Sequence, residues 1–118
     1  LDFVDSCPSS MAVTGAGDLV VTSEGDGFCL STCPNNFFGA HTYVKGASGI
    51  WIDRGNAPQI GTVSGAGNLV MGLASDGIYR LDSAGWVREM QTDGLENVYV
   101  IDSCNALAVG SNGRLFRR

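Results

Sequence analysis

Apolar residues recur along this chain in runs of four to six, each closed by Gly, Asp, Asn or Ser rather than spaced at helical intervals. Runs of Val, Leu, Ile and Tyr bounded by turn residues predict short β-strands. Twelve are predicted, over residues 1–5, 11–14, 19–22, 27–31, 50–54, 61–64, 69–73, 78–81, 86–90, 98–102, 106–110 and 114–117. No window supports a long amphipathic helix. The one stretch with helical tendency, 87–98, is broken by Gly94 and reads as strand, loop, strand. Asp26-Gly27, Asp76-Gly77 and Asn112-Gly113 mark tight hairpins, because Gly accepts the positive φ that twist-matched turns require.

The strands fall into a repeat. Residues 11–23, 61–72 and 99–110 align, and each is followed by a turn and another short strand. The polar residue ahead of the apolar run, Asp18, Asn68 and Asn105, recurs after 50 and then 37 residues, while Trp51 and Trp86 lie 35 apart. The chain therefore reads as one all-β repeat domain. Unit 1 spans about 11–55 with an insertion at 33–48, unit 2 about 60–90, and unit 3 about 97–118 together with 1–6. Unit 3 runs out after three strands, so residues 1–5 are expected to complete it. Pairing an orphan strand with an incomplete sheet removes two exposed edges at once.

Composition narrows the function classes. Of 118 residues 44% are hydrophobic and only 16% charged, so the chain folds or associates rather than staying disordered. With net charge −5 and seven scattered basic residues, no phosphate-tracking face is expected and nucleic acid is excluded as a partner. No apolar run approaches the roughly 20 residues that cross a bilayer. The chain starts at Leu1 without a signal pattern, which suggests a removed leader or a piece of something longer. Four cysteines, Cys7, Cys29, Cys33 and Cys104, suit disulfides in an oxidising compartment, with three pairings open. Zinc is the weaker reading, because only Cys29 and Cys33 are close in sequence.

The stretch from Trp51 to Arg80 runs a Trp strand, an apolar Leu-Val-Met-Gly strand, an Asp-Gly turn and an Ile-Tyr-Arg strand, and Trp86 to Arg117 repeats the order. This resembles the repeat of tectonin-type β-propellers, the group of tachylectin-like and fish-egg lectins. Leu69 and Leu107 stand where that family carries a further Trp. The resemblance implies three propeller-like four-stranded blades, with residues 1–5 closing the last, and a lectin function outside the cell. Propellers typically have 4–8 blades, so three imply self-association into a larger ring or a longer parent chain. A β-trefoil, also three repeats of four strands, is the alternative fold.

Candidate chemistry is sparse. His41, the only histidine, has no nucleophile or metal pattern beside it. Asp53, Asp82 and Glu89 could serve as paired carboxylates but sit at hairpin ends or beside Arg, where surface ion pairs are the commoner role. Catalytic residues, metals and cofactors are therefore not expected. Sugars stack their C–H faces on aromatic rings while charged neighbours bond their hydroxyls. Trp51 with Asp53, and Trp86 with Arg88, put those groups at alternate positions of one strand. A Trp recurring once per unit is more often a packing anchor between blades. The insertion adds Phe37, Phe38 and Tyr43 as candidate contacts. A glycan or glycoprotein is the expected partner, and a structural or protein-interaction subunit of an extracellular assembly is the rival reading.

Overall fold

The structure, a computed structural model, describes residues 8–14, 17–23, 42–46, 48–53 and 60–118. Within them the strands in chain order are β1 Pro8–Val13, β2 Leu19–Ser23, β3 Thr42–Lys45, β4 Trp51–Asp53, β5 Thr62–Ala66, β6 Leu69–Ala74, β7 Gly77–Asp82, β8 Gly85–Gln91, β9 Leu95–Val100, β10 Ala106–Gly110 and β11 Leu115–Arg117. Each pairs antiparallel with its sequence neighbour, giving three meanders: sheet A (β1 to β4), sheet B (β5 to β8) and sheet C (β9 to β11). The fold is all-β, as the hydrophobic pattern predicts. The described residues hold no helix long and apolar enough to cross a membrane. Three separate meanders replace the closed barrel that a trefoil requires. The expected strands at 1–5 and 27–31 lie outside the described residues.

Local chemistry explains the best-formed sheet. Pairing of Ala66 with Leu69, Ala74 with Gly77 and Asp82 with Gly85 leaves two-residue turns between the strands of sheet B. Gly67, at φ +59°, opens the first of them in the left-handed region that side chains resist. The Asn112-Gly113 pair does not form the tight hairpin expected. It belongs to a 3-10 turn, Ser111–Gly113, closed by the Gly110 N–H donating to the Arg114 carbonyl at 2.9 Å.

Unit 1 departs from expectation. Its third strand is β3, inside the stretch predicted to be an insertion, and it pairs with β2 from Leu19↔Lys45 to Thr22↔Thr42 and with β4 from Tyr43↔Asp53 to Lys45↔Trp51. Thr, Tyr and Val suit a pleated, half-buried surface. This register buries Thr42 in line with Thr22. The long connection of the unit therefore lies between β2 and β3, and Tyr43 stands on a strand rather than in a loop.

Sheet B is the middle layer. All five residues from Leu69 to Leu73 are buried, so the usual in–out alternation of a half-buried strand disappears. Leu69, Met71, Leu73 and Ile78 pack against Val98, Val100, Ala106 and Ala108 of sheet C. On the other side Ile60, Val63 and Tyr79 pack with Ala12 of sheet A. Serine hydroxyls join the innermost strands. Ser10 of β1 accepts the Val63 N–H of β5 at 3.1 Å, and Ser64 of β5 accepts the Val100 N–H of β9 at 2.9 Å. One backbone N–H on the inner edge strand of each following sheet is thereby satisfied by its predecessor.

Candidate functional site

The register of sheet A sets two rows of residues across it. One runs Met11, Val21, Tyr43, Asp53, and the other Val13, Leu19, Lys45, Trp51. Met11, Val13, Val21, Tyr43 and Lys45 lie on the face opposite Ala12, Val20 and Thr22, which are buried toward sheet B. Tyr43 and Lys45 are half-buried, whereas Met11 and Val13 are exposed. Three residues expected to contact ligand, Tyr43, Trp51 and Asp53, thus meet on neighbouring strands with a lysine among them. The side chains of Trp51 and Asp53 lie outside what is described, as do Phe37, Phe38 and His41.

The second expected pair is engaged within the fold. The Trp86 indole lies against Gly72 and Ile60 in the seam between sheets A and B, and its Nε1–H donates to the buried Thr42 Oγ1 at 2.7 Å. Arg88 reaches Asp76 at 3.0 Å, and that carboxylate also accepts the Tyr79 hydroxyl at 2.9 and 3.0 Å. Burial, and then the Asp76 carboxylate, push the Tyr79 phenol above its ordinary value. Trp86 therefore plays the packing role that a recurring Trp more often has.

The remaining carboxylates have structural work. Asp82 accepts the Ala84 N–H at 2.8 Å inside its hairpin. Glu89 is held by Arg80 at 2.9 Å and by two contacts of 3.0 Å from Arg118. Asp102 caps the β9–β10 turn by accepting the N–H groups of Cys104 and Asn105 at 2.8 and 2.9 Å, and these bonds hold its carboxyl below the usual range. Among the described residues no group of three or more His, Cys, Asp or Glu is placed to hold a metal ion. Cys104, expected in a disulfide, is exposed with a free thiol, while Cys7, Cys29 and Cys33 lie outside the described residues.

Sequence reasoning missed the role of the Arg117-Arg118 end. Arg118 ties sheet C to Glu89 of β8 beside an apolar cleft between the two sheets. The chain matches no protein-family model, no curated protein and no solved structure.

Proposed function

We propose that this chain is a non-catalytic carbohydrate-binding protein of three propeller-like blades acting outside the cell, with the outer face of β3 and β4 as its sugar-contacting surface. The observation that carries the reading is the register setting Tyr43 opposite Asp53 and Lys45 opposite Trp51. Tyrosine and tryptophan rings offer an apolar face and a polar tip, and a carboxylate acceptor and ammonium donors are groups that bond sugar hydroxyls. The blade arrangement is supported by the repeated serine link between innermost strands and by the tectonin-like residues of the second and third units. The cysteine content supports an oxidising compartment.

Glycan-array and calorimetric binding test this with the intact chain. The wild type is expected to bind a glycan, and Tyr43→Ala and Trp51→Ala are each expected to weaken binding at least about tenfold, or about 1.4 kcal/mol, with an unchanged far-ultraviolet spectrum. A wild type that binds no glycan, or folded variants that bind as well as it does, would overturn the reading. The second reading, a structural or protein-interaction subunit, is favoured by exposed apolar residues on both outer sheets: Met11 at 68%, Tyr99 at 65% and Leu115 at 64% of full exposure.

A further inference from the structure

The register of sheet B breaks once, on the flank that meets sheet C. Ile78 pairs with Met90 and Tyr79 with Arg88, so Glu89 is the extra residue of a β-bulge in β8. Strict alternation would send Glu89 and Met90 to opposite faces. A bulge re-aims a side chain, and here both residues line one cleft between sheets B and C.

The cleft has a volume of about 160 Å³, and all the residues that line it are among those described. Small side chains open it: β10 presents Ala106 and Ala108 to Met71 and Ile78 of sheet B. Facing sheets stand about 10 Å apart, so two methyl groups leave room that larger side chains would fill. Met90, 39% exposed, and Phe116, half-buried, form the sides. An apolar cavity of about 150 Å³ accommodates benzene, so the cleft is sized for one phenyl ring. Thioether sulfurs contact aromatic rings favourably and adapt to their shape, and Met71 and Met90 bring two of them to this wall.

Charge at the mouth selects among aromatic ligands. The charged residues that line the cleft are Glu89, Arg117 and Arg118, an excess of one cation. Arg80 reaches Glu89 at 2.9 Å from outside the lining, and Asp82, 3.9 Å from Arg80, balances it. Arg118 donates to Glu89 through Nε and Nη2 at 3.0 Å each, and its Nη1 has no partner among the described residues. A guanidinium N–H left over in this way suits a second carboxylate. We propose that the cleft binds a small aromatic carboxylate, with its ring on Ala108 between Met90 and Phe116 and its carboxylate on Nη1 of Arg118. This site is separate from the sugar-contacting surface, which lies on sheet A.

The test titrates the full chain, ¹³C-labelled at methyl groups, with phenylacetate, and in parallel with phenylacetamide and acetate. Phenylacetate is expected to shift the methyl resonances of Met71, Met90 and Ala108 saturably, with a Kd of about 1 mM or tighter. Phenylacetamide keeps the ring without the charge and should bind at least about tenfold more weakly. Acetate keeps only the charge and should leave those methyls unmoved. Arg118→Gln, with an unchanged far-ultraviolet spectrum, should lower the affinity for phenylacetate to that for the amide and leave the amide's own affinity unchanged. Loss of packing alone would weaken both. No saturable shift at millimolar phenylacetate, shifts confined to other residues, equal affinity for the amide, or undiminished phenylacetate binding by Arg118→Gln would overturn the proposal, whatever the glycan binding.

Discussion

Gly72 occupies the seam between sheets A and B, and replacing it by Ala measures how tightly that seam is filled. A methyl group there would stand 2.6 Å from Ile60 Cγ2 and 3.0 Å from Cη2 and Cζ3 of Trp86. Carbon atoms pack comfortably at about 3.5–4.0 Å, so at least one neighbour must move. Ile60 is 1% exposed and enclosed by the core. Trp86 can shift only by straining its 2.7 Å hydrogen bond to Thr42. Overpacking of this kind costs about 1–3 kcal/mol, and losing the indole hydrogen bond adds about 1 kcal/mol. The smaller entropy of the unfolded Ala chain offsets roughly 0.5–1 kcal/mol. The net expectation is a loss of about 1–3 kcal/mol, large beside a typical domain stability of about 5–15 kcal/mol. Urea unfolding followed by tryptophan fluorescence reads it directly. With a slope of about 1–2 kcal/mol/M, the midpoint falls by about 0.5–3 M. A midpoint at or above that of the wild type would refute the placement of Trp86 on Gly72. A smaller penalty for Gly72→Ala in a Trp86→Phe background would locate the strain in the indole.

Other positions give sharper or subtler outcomes. Gly77→Ala places a Cβ against the Met90 carbonyl oxygen, a backbone atom that cannot swing aside, so thermal unfolding should show a loss of about 3 kcal/mol or more. Tyr79, raised by burial and by Asp76, is expected to ionise above the ordinary tyrosine value of about 10 in an absorbance titration. Its contribution to stability is complete below that value and lost as pH rises through the folded pKa. Tyr79→Phe removes this alkaline dependence. Asp102 behaves in the opposite sense: its lowered pKa stabilises the turn above about pH 4 and the gain is lost as pH falls through the folded value. The Cys104 and Asn105 amide resonances should follow that titration, and Asp102→Asn should abolish it. Cys104→Ser should leave stability within about 0.5 kcal/mol, whereas loss of a disulfide costs about 2–5 kcal/mol.

Sheet B was legible because β6 and the start of β7 are compact apolar runs bounded by Gly, Asn, Asp or Ser, and two-residue turns make pairing local. Sheet C was legible from its apolar runs, although longer connections, 101–105 and 111–114, join its strands. The third strand of unit 1 was not, because Asp26-Gly27 is a strong local turn signal while β3 is selected by pairing with a strand about twenty residues earlier, which no short window contains. The faces were harder still. With both sides of β6 buried, alternation carries no information about which side meets sheet A, so the engagement of Trp86 with Thr42 was invisible in the pattern. The pairing of Tyr43 with Asp53 was hidden by placing Tyr43 in a loop.

Sandwiching sheet B between two neighbours also sets the order in which the molecule comes apart. Every hairpin closes within its own stretch of sequence, so each sheet can open without unthreading another. Amide protons of β6, covered on both sides, should exchange with solvent most slowly, while those of β4 and β11 escape through small local openings. On heating, the flanks should peel away first and leave residues 62–91 as the last ordered kernel.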